Sequence, residues 1–414
     1  MRIGIQGWGS EGDLRPLVAL GARLKAAGYS VRLVLSPVDG MDFDPLCRSL
    51  DLPLKLVPEK QPNDLASLCA ACSSPDPTKI SRELNRKAYD PYLEQLYESA
   101  LELCAQSDLV VGLFFTSYVK AACLKSGVPF VAVHYFPGMI PSRVLAPPLF
   151  PRWSWLAPAS WAVLGAMMDL AFLKPTAKFF AGKGLPRVRS TLREALVSDR
   201  LNLLASSPTL FPPAPDWGEK NLVCGDFVLP EAATPWEPSA GLREFLEAGE
   251  KPVLVSLGTM EHFAPARARD LVSGAVREAR LRAVVQTKIG DEGRDGSLYF
   301  LRWAPHRLLA PRCSAMVVHG GAGTSHAALR AGLPAVVLPF IIEQRQWGGL
   351  LHRAGSAPRP LSFWKATPRR LAALLREATG SERLRARAAA LAAQVAREDG
   401  TGKALQALER LRPG

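Results

Sequence analysis

The distribution of apolar residues along the chain predicts short buried strands that alternate with amphipathic helices. Each strand candidate is a run of four or five mostly apolar residues, and helical periodicity separates most of these runs. This alternation predicts parallel sheets covered by helices. The predicted strands are Ile3–Gln6, Val31–Leu35, Leu54–Val57, Leu109–Leu113, Phe130–His134, Leu201–Ala205, Val253–Leu257, Ala283–Thr287, Ala315–Val318 and Ala335–Leu338.

A proline-rich segment, 208–238, interrupts this alternation once, and the alternation then starts again. Because proline fixes φ and removes a backbone donor, we predict an irregular linker there. At 414 residues the chain also exceeds the size at which one core normally stops growing. We therefore predict two α/β domains, 1–215 and 216–395, with 396–414 forming a C-terminal helix that packs back toward the first. Ligands of open α/β sheets bind beyond the carboxyl ends of strands, which predicts a ligand cleft between the two domains.

The segment 149–173 does not fit this scheme, because it is rich in aromatic residues and methionine. Pro158 and Asp169 interrupt it, and we judge it too broken for a membrane span. We expect a loop and a buried helix of the first domain. Two alternatives stay open: a pocket for a bulky lipophilic ligand, and a contact with a membrane surface.

A glycine-rich stretch, "HGGAGTS", separates the predicted strand Ala315–Val318 from a predicted helix, Ser325–Ala331. Hydrophobic packing gives no reason for His319 and the three glycines that follow it. Glycine lets a backbone come close to a ligand, and a helix start offers unpaired N–H groups at a positive dipole end. This pattern predicts an anion site.

A second glycine loop, "GWGSEGD", follows the first strand and fits the G-x-G-x-x-G pattern of dinucleotide-binding folds. Asp13, however, sits where a pyrophosphate would rest and would repel it. No acidic residue closes the second strand, which ends before Asp39. The sequence therefore disfavours a nicotinamide-dependent oxidoreductase. Two roles stay open for Asp13, a general base and the N-cap of a helix that begins at Leu14.

Composition narrows the choice of partners. The 51 Lys and Arg against 38 Asp and Glu give a net charge of +13, which suits a phosphate compound, anionic lipid or nucleic acid. The basic residues are scattered and lack interleaved aromatic residues, so nucleic acid is disfavoured.

The cysteines and the N-terminus bear on the compartment. The seven cysteines, mostly in apolar settings, suggest buried thiols in a reducing compartment. We interpret Cys69 and Cys72 as unrelated thiols rather than a metal or redox pair. The chain opens on a strand without the pattern of a signal peptide, and we expect a cytoplasmic protein.

The motifs and their order resemble the family 1 glycosyltransferases of the GT-B fold. They are most similar to sterol glucosyltransferases and to bacterial enzymes that glycosylate glycopeptides and macrolides. "GSEGDLRP" resembles the opening "GSRGDxxP" of that branch, and "FVLP" and "KPVLVSLGTM" resemble its interdomain strands. "WAPHRLLAPRCSAMVVHGGAGTSHAALRAGLPAVVLPFIIEQ" resembles its nucleotide-sugar signature. The resemblance implies an α/β fold of two Rossmann-like, doubly wound parallel-sheet domains that face a cleft.

The resemblance also implies a reaction. We expect an inverting enzyme that moves a hexose, glucose from UDP-glucose, to a hydroxyl of a lipophilic acceptor such as a sterol, triterpene or polyketide. A deoxythymidine-diphosphate sugar is the alternative donor, and neither a cofactor nor a metal is expected. Two other functions stay open, a GT-B nucleotide-sugar epimerase and a non-catalytic nucleotide-sugar-binding protein. The sequence leaves the oligomeric state and a peripheral membrane contact undecided.

Each site residue takes its expected role from the family motif that it matches. Asp13 is the expected catalytic base. The expected diphosphate-binding residues are Gly258, Thr259, His319, Gly321, Gly323 and Thr324. The expected nucleoside-binding residues are Trp303, Ala304 and His306. Glu343 and Gln344 are expected to bind the sugar, with Glu343 standing where the sterol branch usually has the shorter Asp. The expected acceptor region contains Gly12, His134, Phe136, Trp153, Trp155 and Met167.

Overall fold

The computed structural model describes residues 1–58, 69, 83, 85–147, 150, 153–230 and 236–411. It divides into two compact units. One unit holds the described residues of 1–64, 84–233 and 399–414, and the other holds those of 65–83 and 234–398.

The first unit is built on a parallel sheet covered by helices, as predicted. Its strands are β1 (Arg2–Gly9), β2 (Ser30–Pro37), β3 (Leu54–Leu56), β4 (Leu109–Leu113), β5 (Phe130–His134), β6 (Leu201–Leu204) and β7 (Asn221–Val223). Its α-helices are α1 (Glu11–Ala26), α2 (Asp44–Ser49), α3 (Leu93–Ala105), α4 (Ser117–Ser126) and α5 (Ala157–Gly182). The strand order is β3-β2-β1-β4-β5-β6-β7, and all pairs are parallel. The direction of winding therefore reverses between β1 and β4, where ligands of such sheets bind.

The second unit repeats this architecture on a smaller scale. Its strands are β8 (Val253–Ser256), β9 (Ala283–Gln286), β10 (Gly293–Asp295), β11 (Leu298–Leu301), β12 (Ala315–Val318) and β13 (Ala335–Val337). Its α-helices are α6 (Ala240–Glu247), α7 (Pro265–Ala279), α8 (His306–Leu309), α9 (Ala322–Arg330), α10 (Ile342–Arg353), α11 (Pro368–Gly380) and α12 (Glu382–Val395). The order is β10-β11-β9-β8-β12-β13, parallel except for the β10–β11 pair. Here the reversal lies between β8 and β12.

The main segment of the second unit, 234–398, begins and ends later in the chain than the predicted 216 and 395. β7 pairs with β6, so the first sheet continues past residue 215. The last segment, from Asp399, belongs to the first unit, where a final helix, α13 (Gly400–Glu409), packs against α1. The Tyr29 hydroxyl donates to Glu409 Oε1 at 3.2 Å on this face.

The helix expected to be buried in 149–173 is in fact continuous and largely exposed; residues 149, 151 and 152 lie outside the described residues. Pro158 does not break α5 because it lies in the first turn, where its missing N–H has no intrahelical acceptor. Asp169 does not break it either, since its Oδ1 accepts a hydrogen bond from the Thr191 N–H at 2.6 Å. One helix in the described chain, Ser154–Gly182, is long and apolar enough to cross a membrane by length and composition.

The cysteines that the structure describes are buried free thiols. Cys104 Sγ and Cys123 Sγ lie 3.7 Å apart between α3 and α4. Burial raises the pKa of the Cys313 thiol to about 12. Cys72, the other half of the C-x-x-C pair, lies outside the described residues.

Candidate active site

Asp13 lies in the first turn of α1, immediately beyond the carboxyl end of β1. The predicted start at Leu14 is wrong, because β1 runs to Gly9 and Ser10 takes the N-cap position. Asp13 is therefore the third helical residue rather than the cap. Its Oδ2 accepts hydrogen bonds from the Ser10 N–H and the Ser10 hydroxyl, both at 2.8 Å. This is the reciprocal partner of a capping box, so the carboxylate has a fixed orientation.

The surroundings of Asp13 favour its protonated form. Burial raises the pKa of Asp13 above its ordinary value, the two Ser10 hydrogen bonds oppose this shift, and the charge of Asp39 adds to it. Among the described residues, none donates a hydrogen bond to the second oxygen, Oδ1. A carboxylate with one oxygen held and the other available, and with a raised pKa, is suited to accept a proton from an acceptor hydroxyl.

The N-terminus of α1 is occupied by carboxylates of the protein itself. Asp39 Oδ2 accepts a hydrogen bond from the Glu11 N–H at 3.0 Å, in addition to the Asp13 contact with Ser10. A dinucleotide pyrophosphate would need these same N–H groups. This occupation is a physical reason why the loop is unsuited to bind a nicotinamide dinucleotide.

Tyr135 is a neighbour of Asp13 that the sequence did not reveal. It follows β5, is buried, and its hydroxyl donates a hydrogen bond to the main-chain oxygen of Asp13. Burial raises the pKa of the Tyr135 hydroxyl well above its ordinary value, so the hydroxyl remains a donor. Tyr135 thereby ties the end of β5 to the first turn of α1, which positions Asp13.

In the second unit, His319 lies at the reversal point of the sheet. It follows β12, and Gly258 begins the segment after β8 on the neighbouring strand. A Cβ at Gly258 would lie 3.2 Å from His319 Cε1, and a Cβ at Gly321 would lie 2.3 Å from His319 Nε2. The glycines therefore leave room for the imidazole ring between two backbone segments.

Helix α9 begins at Ala322, three residues before the predicted Ser325, because Gly321 is its N-cap. The first helical backbone bond is from the Ser325 N–H to the Gly321 oxygen, at 3.0 Å. The N–H groups of Ala322, Gly323 and Thr324 thus lie in the first turn without an intrahelical acceptor. Gly323 is exposed, and a Cβ built on it meets no atom within 4 Å. This turn can receive an anion at close range.

The His319 side chain is suited to donate a hydrogen bond rather than to carry a charge. Burial lowers the pKa of His319 to about 4; the Ser256 backbone opposes this shift and His306 reinforces it. The ring is consequently neutral at pH 7. Its Nδ1 is buried and has no hydrogen-bond partner among the described residues. With the ring proton on Nδ1, this atom would donate a hydrogen bond to a phosphate oxygen.

The predicted nucleoside residues lie around the start of α8. Trp303 is half-buried in the segment after β11, and Ala304 beside it is buried. His306 opens α8, and its Nε2 lies 3.1 Å from the Ser256 hydroxyl at the end of β8. Ser256 was missed at the level of sequence because it reads as part of an ordinary buried strand.

Of the two residues predicted to bind the sugar, Gln344 already makes hydrogen bonds within the protein. Gln344 is buried in the first turn of α10, and its Oε1 accepts hydrogen bonds from the Phe340 and Ile341 N–H groups at 2.9 and 3.3 Å. Only its amide nitrogen is therefore left for the sugar interaction that we predicted. Glu343 is half-buried beside it in the same turn.

Gly320, which was not among the predicted residues, brings α10 close to the His319 loop. Its φ is 89°, and a Cβ there would lie 2.5 Å from the Gln344 main-chain oxygen. A side chain at this position would push the two segments apart. The signal available in sequence was the double glycine, which we assigned wholly to the ligand.

The predicted acceptor residues differ in burial. Gly12, Trp153, Trp155 and Met167 are exposed, whereas Phe136 is buried. His134 has 0% exposure, which contradicts the expectation that it faces an acceptor. It belongs to the sheet core, where its Nε2 lies 3.3 Å from Asn202 Oδ1 and burial lowers its pKa to about 4.

The chain is similar in sequence to known glycosyltransferases. Residues 296–411 match the family model described as the erythromycin biosynthesis protein CIII-like C-terminal domain. The chain is 30% identical to the O-mycaminosyltylonolide 6-deoxyallosyltransferase of Streptomyces fradiae, over 99% of this chain and 97% of that protein. It is 27% identical to a sterol 3-beta-glucosyltransferase of Neurospora crassa, over 99% of this chain but 27% of that longer protein.

Solved structures show the same fold. The kitacinnamycin glycotransferase matches with a TM-score of 0.69 at 20% identity, covering 100% of this chain and 99% of that one. The spinosyn rhamnosyltransferase, solved with thymidine diphosphate, matches with a TM-score of 0.63 at 16% identity, covering 99% and 100%. The predicted two-domain parallel-sheet fold is thereby confirmed as GT-B. With its relationship to the Streptomyces fradiae enzyme over nearly its whole length, the chain is a glycosyltransferase that belongs to family 1 of the GT-B fold.

Proposed function

We propose that this glycosyltransferase inverts the anomeric centre, with Asp13 as the general base. The observation that carries this proposal is the partly desolvated Asp13 carboxylate, which Ser10 holds by one oxygen only. The acceptor hydroxyl gives its proton to Asp13 as its oxygen attacks the anomeric carbon. The bond from that carbon to the diphosphate breaks, and the electron pair leaves with the diphosphate. One displacement inverts the centre without a covalent intermediate.

The second unit is proposed to stabilise the leaving diphosphate. Negative charge grows on its oxygens as the bond breaks, and donors fixed beforehand lower that barrier. The orphan N–H groups at the start of α9 are such donors. Nδ1 of His319 is another in the tautomer that carries the ring proton on that nitrogen. Gly258 and Thr259 are proposed to approach the same phosphates.

For the donor we propose UDP-glucose, with a deoxythymidine-diphosphate sugar as the alternative. The sterol 3-beta-glucosyltransferase relatives support glucose as the transferred sugar. The spinosyn rhamnosyltransferase structure with thymidine diphosphate supports the alternative donor. The acceptor class that we propose is lipophilic, a sterol, triterpene or polyketide alcohol. Glycosyltransferases of macrolides and sterols among the relatives support that class.

The experiment combines a substrate panel with the Asp13→Asn variant. UDP-glucose and thymidine-linked sugars are incubated with sterol, flavonoid and macrolide alcohols, and mass spectrometry detects the glycoside and the free nucleotide. We expect kcat of Asp13→Asn to fall by about 10²- to 10⁴-fold, the usual contribution of a general base. Donor affinity, measured by calorimetry, should stay unchanged.

A matched control is Asp44→Asn, which removes an exposed carboxylate from α2 of the same unit. It should keep the wild-type rate. Full activity of Asp13→Asn would overturn the assignment of the base. Isomerised donor without any glycoside would instead indicate an epimerase.

A further inference from the structure

Helix α5 has one face that the protein covers and one that it leaves to solvent. On the inner face, Trp161, Leu164 and Phe180 are at most 8% exposed, and Trp161 Nε1 donates a hydrogen bond to the Leu145 oxygen at 2.8 Å. Trp161 and Leu164 pack with Leu192 in one cluster. The helix is therefore held along the body of the first unit.

The outer face of α5 is an apolar stripe that runs over three turns. Leu170 is 92% exposed and Met167 is 54% exposed. A single exposed apolar residue is common on a protein surface, but a continuous row of them is rare. Residues three and four apart lie on the same side of a helix, so the exposed positions form one continuous surface. The exposed stripe comprises Ala162, Val163, Ala166, Met167, Leu170 and Ala171.

Aromatic residues lie before the stripe, where α5 begins. Trp153 and Trp155 are 58% and 74% exposed, and their rings stack with centroids 5.9 Å apart and an interplanar angle of 7°. Tryptophan is enriched where a protein meets the headgroup region of a bilayer, because its ring is apolar and its N–H is polar.

Basic residues lie at the opposite end. Lys174 and Lys178 are exposed one and two turns beyond Leu170, and Arg187, Arg189 and Arg193 are exposed on the segment that follows α5. Among the described residues, none of these five makes an ion pair.

Negative charge is scarce over the same stretch. Asp169 is the only acidic residue between Trp153 and Arg193, and its Oδ1 is engaged by the Thr191 N–H. Glu194 follows Arg193 directly, and its Oε2 accepts a hydrogen bond from the Arg189 N–H at 2.7 Å. The stripe is thus bordered by unpaired positive charge, which complements the negative surface of an anionic membrane.

We propose that the exposed stripe of α5, together with Trp153, Trp155, Lys174 and Lys178, docks the protein on the surface of an anionic phospholipid bilayer. The helix lies in the plane of the interface rather than across it, because its inner face remains packed on the first unit. The apolar side chains enter the boundary between headgroups and acyl chains, to a depth of about 5–10 Å. The lysine ammonium groups reach the phosphates along their apolar stems.

The test uses the full chain and sedimentation with vesicles, without any sugar donor, so its outcome does not depend on the proposed reaction. Vesicles of phosphatidylcholine alone are compared with vesicles that also contain phosphatidylglycerol. We expect binding to the anionic vesicles that weakens as salt is raised. Met167→Glu/Leu170→Glu should lower the partition coefficient at least about tenfold, since it puts two charges into the apolar boundary. Lys174→Glu/Lys178→Glu should remove most of the salt dependence.

Leu124→Glu is the matched control, because Leu124 is 50% exposed on another helix, α4, outside the stripe. It should bind vesicles as the wild type does. A second measurement uses brominated lipids, which quench tryptophan fluorescence. Quenching should fall in Trp153→Phe/Trp155→Phe although vesicle binding persists.

Three outcomes would overturn the proposal. The first is the absence of preferential binding to anionic vesicles. The second is unchanged binding of Met167→Glu/Leu170→Glu with a wild-type melting curve. The third is a wild-type dimer in light scattering that becomes a monomer in that variant, which would mean that a second copy of the chain covers the stripe.

Discussion

A Cβ atom at Gly9 would lie 2.6 Å from Asp13 Oδ2 and 2.8 Å from Asp13 Cβ. The φ of Gly9 is 150°, in the region that favours glycine. The carboxylate that Ser10 holds therefore occupies space that any other residue at position 9 would fill. The glycine at the end of β1 therefore leaves the space that the proposed base occupies.

Gly9→Ala is consequently expected to reduce turnover by displacing Asp13. The methyl group would break the hydrogen bonds from Ser10, and we expect kcat to fall by about 10²-fold, the lower range for loss of a general base. The dissociation constant of the donor nucleotide, measured by calorimetry, should not change, because the residues proposed to bind it lie in the second unit. Gly28→Ala serves as the control: Gly28 has φ 85° but no atom within 4 Å of its Cβ position. Equal loss of turnover in both variants would attribute the effect to backbone strain alone.

Asp13→Asn is expected to unfold at a higher urea concentration than the wild type at pH 7. Because burial raises the pKa of Asp13, the folded protein binds this proton more tightly than the unfolded chain does. The stabilisation by the protonated group is present below the unfolded pKa and is lost as pH rises through the folded pKa. Asparagine keeps an oxygen for Ser10 and carries no charge. The stability gap should therefore shrink as pH falls from 7 toward 4, and a variant less stable than wild type at pH 7 would contradict this.

Two glycines of the His319 loop are expected to respond differently to substitution, one by losing nucleotide binding and the other by losing stability. Gly323→Ala should leave stability equal or raise it by up to about 1 kcal/mol, as alanine does in a helix, because its Cβ meets nothing. It should still weaken UDP binding at least about tenfold, or about 1.4 kcal/mol, because the methyl group stands where we propose that the phosphate approaches.

Gly320→Ala is the matched partner and should mainly destabilise the second unit. Its Cβ would contact the Gln344 backbone at 2.5 Å, with φ at 89°, and such strain costs about 1–3 kcal/mol. Thermal melting and calorimetry on both variants measure the two effects. Unimpaired UDP binding by Gly323→Ala would show that the ligand does not need this glycine.

His134 is expected to contribute to acid sensitivity. Its folded pKa is about 4 against about 6.5 in the unfolded chain, so its stabilisation is present above pH 6.5 and is lost as pH falls toward 4. The full shift corresponds to roughly 3 kcal/mol at about 1.4 kcal/mol per pKa unit. In His134→Gln, the fall in the free energy of unfolding between pH 6.5 and 4 should be smaller by that order. Urea denaturation at several pH values measures it, and an unchanged slope would refute the assignment.

Much of the fold followed from the sequence because buried parallel strands are continuous apolar runs. Leu109–Leu113, Phe130–His134 and Ala315–Val318 have the predicted bounds. The strands that were missed, β7, β10 and β11, are three or four residues long. The polar Gly293–Asp295, for example, is a strand only because Phe300 and its neighbours lie opposite it.

The sequence also predicted the residue types of the candidate site. It did not predict which of these residues contact a ligand and which serve the packing of the protein. The double glycine after His319 predicted that the backbone comes close to a ligand. Only the structure separates Gly320, which makes room for the α10 backbone, from Gly323, which faces open space. Likewise, the sequence offered two roles for Asp13, and the extension of β1 to Gly9 decided that Ser10 is the cap.

The sequence by itself determined the alternating strands and helices, the two glycine loops and the apolar character of 157–182, because each depends on residues near in the chain. Tertiary structure decided which sides of those elements are covered. His134 lies in the core because Asn202 and Phe114 pack beside it. A histidine considered by itself is equally compatible with a surface position. Leu170 is exposed because no other segment packs on that side of α5 among the described residues. Burial depends on contacts between distant residues, and periodicity along the chain does not specify them.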